Sequence, residues 1–218
     1  MDFINTTDEV SSWEEVMLLY NAALRQVETK MQILNDEFQH VHQYNPIEHI
    51  KARLKTAESI VKKLKRHGYE STVENMVKYI NDIAGIRIIC SFTSDIYRIA
   101  DMIMEQQDIK VINVKDYITF PKASGYKSYH IIVTVPVYLS DRVVDTKVEI
   151  QIRTVAMDFW ASLEHKIQYK FEGAAPDHIK EELVECSKLV ADLDARMLSL
   201  NEEILSVNEE KETEKKGA

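Results

Sequence analysis

The run Val148-Glu-Ile-Gln-Ile-Arg153 alternates strictly, so a strand here puts Val148, Ile150 and Ile152 on one face and Glu149, Gln151 and Arg153 on the other. The polar face carries an acid, an amide and a cation. An ordinary solvated sheet face has the same pattern, so alternation alone does not make a site. Thr154 then caps a helix from Val155 to about Phe171, which returns Trp160, Glu164 and His165 toward the strand's end, where loops and helix starts commonly build sites. A site built here needs cations and a pocket of nucleotide size.

The cations are concentrated in one stretch. Residues 51–66 hold Lys51, Arg53, Lys55, Lys62, Lys63, Lys65 and Arg66 against Glu58 alone, in a chain whose net charge is −9. Between Asn45-Pro46 and Gly68 the apolar residues Leu54, Ala57, Val61 and Leu64 predict a helix, on which Lys55, Ser59 and Lys63 stack at steps of four. Such a row suits a polyphosphate, although a charge run is more often a solvated face. Asp82 and Glu149 are candidate magnesium ligands or bases, because hard cations take a few carboxylate oxygens together with substrate phosphates. The plainer alternatives are a helix cap for Asp82 and a salt bridge for Glu149. The loop Lys122-Ala-Ser-Gly-Tyr-Lys-Ser-Tyr-His130 adds two rings, two cations and an imidazole. Tyr126 or Tyr129 can stack on a base or pack the sheet edge, and His130 can serve a site or be a hydrogen-bonded structural histidine. The histidines show no zinc spacing.

The elements that must position these residues read as a mixed sheet with helices packed on it, an α/β or α+β core. Expected strands run from about Ile86 to Cys90, Ile109 to Val114, His130 to Val137 and through the central Val148–Arg153, with a turn at Ser140–Arg142. Expected helices follow Thr72 and Ser94. Two long helices flank the core. The first carries Trp13, Met17, Tyr20, Leu24, Val27, Met31, Leu34, Phe38 and Val41 at alternating steps of four and three after a capping box at Ser12 and Glu15. The last repeats the design from Ile179 through Leu183, Cys186, Val190, Leu193, Met197, Leu200 and Ile204 to Val207, after Pro176. The seams can pack on each other or join subunits; their length favours oligomerisation. The charged tail from Glu209 is expected to fray.

At 218 residues and 45% hydrophobic, the chain is expected to form one compact unit with helical extensions: 1–44, a core over 45–172, and 173–218. The acidic balance argues against a general nucleic-acid binder. Cys90 and Cys186 lie far apart, Cys90 within an apolar run, which suits reduced thiols and a cytoplasmic protein. No signal segment is evident, and the apolar stretch Ile131–Leu139 is too short to span a bilayer.

Together, Asp82-Ile-Ala-Gly-Ile-Arg-Ile-Ile89, Lys115-Asp-Tyr-Ile118, Pro121-Lys122, Ser124-Gly-Tyr-Lys-Ser-Tyr-His130 and Val148-Glu-Ile-Gln-Ile-Arg-Thr154 resemble, in order and spacing, the RelA/SpoT-type (p)ppGpp synthetase domain. The flanking helices and short length resemble a stand-alone small alarmone synthetase, most similar to the RelP type. The resemblance implies a nucleotidyltransferase-like core of about five strands. It also implies transfer of the β,γ-pyrophosphate of ATP to the 3′-hydroxyl of GDP or GTP, with Mg2+ and without hydrolase activity. By the same resemblance, Arg53 and Arg87 sandwich adenine, and Lys55, Ser59, Lys63 and Arg66 hold the ATP phosphates. Asp82 and Glu149 hold Mg2+, and Glu149 is the base. Tyr126 stacks on guanine, while Lys115, Lys122, His130 and Gln151 surround the rest of the acceptor. A homotetramer through the terminal helices is implied; the charge balance and the lack of a spanning segment argue against nucleic-acid and membrane partners. Lys127 and Tyr129 stand where the family often has Arg and Leu. Some members are thought to bind product in a cleft of the tetramer; Glu28, Gln32 and Asp158 at the matching positions imply that pppGpp does not activate this chain. The rival classes are a non-catalytic nucleotide sensor and an RNA-binding regulator using the 51–66 patch.

Overall fold

The computed structural model describes residues 12–42, 44–170 and 175–216. In chain order the elements are α1 (Trp13–His40), β1 (Ile47–Leu54), α2 (Ala57–Arg66), α3 (Val73–Tyr79), β2 (Ala84–Cys90), α4 (Thr93–Met104), β3 (Lys110–Asp116), β4 (Tyr129–Tyr138), β5 (Val143–Thr154), α5 (Val155–Lys170) and α6 (Asp177–Lys216). Five strands form one sheet in the order β1-β2-β5-β4-β3. The β2–β5 pair is parallel and the other pairs are antiparallel, so the sheet is mixed, as the sequence pattern implies.

Alternation in the central strands decides the layers. Ile86, Ile88, Val148, Ile150, Ile152, Ile131 and Val133 join one buried cluster with α1 residues Leu24, Val27 and Met31 and α4 residues Ile96, Ile99 and Ile103. Residues that alternate with them, Gly85, Arg87, Glu149, Gln151 and His130, point to the opposite face. The α1 and α4 helices therefore cover the apolar face, and the other face carries the polar row.

The 45–68 segment is not one helix. Ile50-Lys-Ala-Arg-Leu54 also alternates, and here it forms the edge strand β1 against β2; a helix begins only at Ala57, capped by Thr56 Oγ1 accepting from the Ser59 amide. Tertiary pairing overrides the local helical spacing, and charged residues suit an edge. Of the predicted apolar row Leu64 is buried in α2, but Ile60 rather than Ala57 or Val61 accompanies it.

The α1 helix starts at Ser12, whose hydroxyl accepts from the Glu15 amide, while the Glu15 carboxylate pairs with Arg142 on the β4–β5 turn. Its seam packs on the sheet, with Leu24, Val27, Met31 and Phe38 buried, although Val41 is exposed. The α6 seam is different: Leu193, Met197, Leu200 and Ile204 are each about half exposed or more. The α6 backbone stays helical to Lys216, beyond the expected start of fraying. The predicted end of α5 at Phe171 lies outside the described residues, within which the helix reaches Lys170. Cys90 is a buried free thiol, and Cys186 is also free. Among the described residues no helix is long and apolar enough to cross a membrane.

Candidate active site

Strand register assembles the site. One straight row crosses all five strands: Lys51 opposite Arg87, Arg87 opposite Gln151, Gln151 opposite His130, and His130 opposite Lys115. The adjacent row places Arg53 opposite Gly85 and Gly85 opposite Glu149. Gly85 lies within β2, and its missing side chain leaves open floor between Arg53 and Glu149. A cavity of about 410 Å³ opens there, lined by Lys51, Ala52, Arg53, Lys55, Asp82, Gly85, Ile86, Arg87, Glu149 and Gln151. That volume falls within the usual range for small-molecule sites.

Asp82 is not a helix cap. It lies between α3 and β2, with Oδ2 2.6 Å from Lys55 Nζ and Oδ1 2.8 Å from Lys63 Nζ. Lys55 precedes α2 and Lys63 lies within it, so the predicted four-residue spacing still converges although it spans two kinds of structure. Burial pushes the Asp82 pKa up, but hydrogen bonds and charge from the two lysines outweigh it and hold the group below its ordinary value.

Glu149 is fixed at both oxygens. His130 Nδ1 lies 3.4 Å from Oε1, and Gln151 Nε2 donates to Oε2 at 2.8 Å. Burial raises its pKa, yet His130 and Gln151 prevail and keep it below the ordinary value. The donors fix a direction through the next shell. Arg153 can only donate, so Tyr126 OH accepts from Arg153 Nη2 at 2.5 Å and gives its own proton to His130 Nε2 at 2.9 Å. In neutral His130 the ring proton then sits on Nδ1, facing Glu149. His130 is buried and bridges the candidate stacking ring to the candidate base.

Tyr126 meets Tyr117 and His130 edge-on, with the Lys122 ammonium 4.8 Å and the Arg153 guanidinium 5.0 Å from its ring centre. Tyr129 instead packs edge-on against Tyr97, the structural role left open for it. Gly125 is required for the loop. It adopts φ +86°, and a Cβ there would stand 2.7 Å from Ser187 Cβ on α6.

The remaining predicted residues are not among those that line the cavity. Ser59 is half-buried in the first turn of α2, where its hydroxyl accepts from Thr56 Oγ1. Arg66 is exposed on the last turn of α2, and Lys115 is exposed at the end of the cross-strand row. Tyr126 and His130 stand beside the cavity, on the β4 side of Gln151. Lys51 and Arg153 were legible only as members of a basic run and an alternating face; their place in the site follows from pairing. Asp158, read as an acid in a product-binding cleft, has its carboxylate engaged within the subunit by Arg87 and Arg153. Burial and the nearby Arg153 charge lower the Arg87 pKa, with Asp158 opposing them. Among the described residues no group of three or more His, Cys, Asp or Glu could hold a metal. The two carboxylates of Asp82 and Glu149 are a fitting donor set only for a hard cation that takes its other ligands from phosphate.

Residues 52–174 match the family described as "Region found in RelA / SpoT proteins". Over 204 residues the chain is 47% identical to GTP pyrophosphokinase YwaC of Bacillus subtilis (strain 168), covering 94% of this chain and 96% of that protein. It is 33% identical over 206 residues to GTP pyrophosphokinase YjbM of the same organism, with the same coverage. The crystal structure of small alarmone synthetase 2 from Bacillus subtilis superposes with a TM-score of 0.80 at 46% identity, covering 88% of this chain and 100% of that one. Small alarmone synthetase 1 from Bacillus subtilis bound to its product pppGpp gives 0.84 at 33% identity, covering 88% and 98%. The chain belongs to the RelA/SpoT family. Within that family it is of the small alarmone synthetase kind, as the flanking helices and length imply.

The lysine clamp has a consequence for acid stability. Because the Asp82 pKa in the folded chain lies below its ordinary 3.8, the clamp's contribution is fully present above that value and is lost as pH falls through the folded pKa. Asp82→Asn should therefore lose less stability than the wild type between neutral pH and pH values below 3.8, measured by denaturant unfolding across that range.

Proposed function

We propose that the cavity aligns ATP with GDP or GTP so that the β,γ-pyrophosphate passes to the guanosine 3′-hydroxyl, releasing AMP. GTP pyrophosphokinase activity rests on relatedness along nearly the full chain. The finer assignment is supported by one observation above all: Glu149 sits where a cation-lined cavity meets the Tyr126–His130 side of the sheet.

In this reading adenine lies between Arg53 and Arg87, and its phosphates run toward Lys55, Lys63, Ser59 and Arg66. Lys55 and Lys63 are held on Asp82 beforehand and turn to the incoming phosphates, exchanging one anionic partner for another. Guanine stacks on Tyr126. Lys122, exposed on a flexible stem above that ring, moves off as the base arrives and joins Lys115, His130 and Gln151 around the acceptor. Asp82 and Glu149 would hold Mg2+, which when bound supplies positive charge to the transferring phosphates.

The acceptor 3′-oxygen attacks the β-phosphorus of ATP in line as the bond from that phosphorus to the oxygen bridging to the α-phosphate breaks, and AMP departs. Glu149 takes the hydroxyl proton. A carboxylate with a lowered pKa is a weak base, so its contribution is mainly to stay ionised and aligned while the surrounding cations stabilise the developing alkoxide. Hydrolysis of the product is not part of this reading. The RNA-binding alternative fits less well, because Lys51, Arg53 and Lys55 line one cavity with Asp82 and Glu149, and Lys55 and Lys63 are paired to Asp82.

Chromatography after incubation with ATP, Mg2+ and each guanine nucleotide should show AMP and a guanosine polyphosphate forming together; neither product forming would overturn the reading. Glu149→Gln keeps shape and removes charge, and kcat should fall by roughly 10²–10⁴-fold with unchanged circular dichroism. Tyr126→Ala should raise KM for the guanine nucleotide far more than for ATP in the same assay, since one stacked base is worth about 1–3 kcal/mol.

The half-exposed α6 row supports a homo-oligomer, proposed as a tetramer, in which a second copy covers Leu193, Met197, Leu200 and Ile204. Leu193→Asp with Leu200→Asp places charges in that seam and should release smaller species in light scattering. An unchanged mass would leave the seam without a role in assembly.

A further inference from the structure

Asp158 stands in the first turn of α5 with its side chain largely buried. A single oxygen, Oδ1, accepts from both Arg87 Nη1 and Arg153 Nη1, each at 3.1 Å. Two guanidinium groups thus meet across one carboxylate oxygen. Among the described residues no other acid is ion-paired with either arginine.

The two arginines differ in what else holds them. Arg153 is buried and donates also to Ser128 Oγ, Tyr126 OH and Gln151 Oε1, so three neutral partners on the acceptor side fix it without Asp158. Arg87 lines the cavity, and its buried Nε has no hydrogen-bond partner. Its head is anchored through Nη1 to Asp158 alone among the described residues.

We propose that Asp158 is a positioning residue for the ATP subsite, holding the Arg87 guanidinium at the cavity wall and neutralising the repulsion that Arg153 would otherwise exert on it. The inference rests on the reading that ATP occupies this cavity with its base against Arg87. Without the carboxylate, two partly desolvated cations face each other uncompensated, and the less anchored one moves. Arg153 stays on its three other partners, and Tyr126 stays with it. Loss of the charge is therefore unequal in effect: the donor subsite loses its wall and the acceptor subsite keeps its ring.

The test is steady-state kinetics of the full chain with ATP and GDP varied separately, for wild type, Asp158→Asn, Arg87→Gln and the double variant. Asp158→Asn should raise KM for ATP about tenfold or more, the scale of one hydrogen bond to a charged group, while KM for GDP changes less than about twofold. In the double variant the ATP effect should not exceed that of Arg87→Gln alone, because Asp158 acts through Arg87. Equal rises in both KM values, a fall in kcat with KM for ATP unchanged, or additive effects in the double variant would overturn the proposal. If Asp158→Asn fails to fold by circular dichroism, Asp158→Ser takes its place with the same expected split. A wild-type chain that releases no AMP from ATP and GDP would overturn the underlying reading of the site, an outcome visible before any variant is compared.

Discussion

The parallel pairing of β2 with β5 is the constraint on which the rest of the molecule depends. Its register sets Gly85 beside Glu149 and Arg87 beside Gln151, with the intervening isoleucines facing the helices. A slip of one residue in β5 would turn Glu149 and Gln151 into the apolar layer and Ile150 out of it. The apolar alternation thus specifies the site as firmly as it specifies the core. The antiparallel partners β1 and β4 extend the same register outward, bringing Arg53 and Lys51 to one side of Glu149 and His130 to the other.

Electrostatics organise what the register brings together. The site's arginines and lysines lie in a chain of net negative charge, and the closest of them are held by acids: Lys55 and Lys63 on Asp82, Arg87 and Arg153 on Asp158. Each pairing lets several cations stand together in a partly dry cavity, where unpaired they would repel one another. The arrangement is prepared for polyanionic ligands, because the ammonium groups are already oriented and need only exchange a carboxylate for a phosphate. Glu149 is held in the opposite sense, by donors that keep it ionised.

The terminal helices take different parts in this design. The α1 helix is an integral layer of the core, whereas α6 reaches the acceptor side through three contacts: Ser187 Oγ to the Gly125 carbonyl, Leu183 carbonyl to Trp160 Nε1 at 2.9 Å, and Asp194 to Thr154 Oγ1 at 2.6 Å. These contacts brace the loop carrying Tyr126 and the end of the strand carrying Glu149. The same helix then extends its apolar row past the fold. A partner seated on that row would bear on the element that braces the acceptor loop.

Much of the molecule was legible in sequence because it is written at short range. Period-two alternation gave the central strand and its polar face, Ser12 and Thr72 marked helix starts, and the motif order carried the family and the membership of the site. Short-range patterns failed where two periods overlap. The segment around Lys51 to Leu54 satisfies both a helical and a strand spacing, and only the β2 edge beside it selects the strand. The α1 and α6 seams look alike in sequence, yet one is buried on the sheet and the other is left half exposed, since an apolar row does not encode what will cover it. Partnerships across long separations were likewise out of reach: Asp158 with Arg87, Ser187 with Gly125, Asp82 between Lys55 and Lys63. The sequence by itself determined which groups are present and which face of the central strand they occupy, because backbone geometry imposes that periodicity locally. Tertiary structure alone decided which carboxylate neutralises which cation, because that depends on distances set by strand register and helix packing.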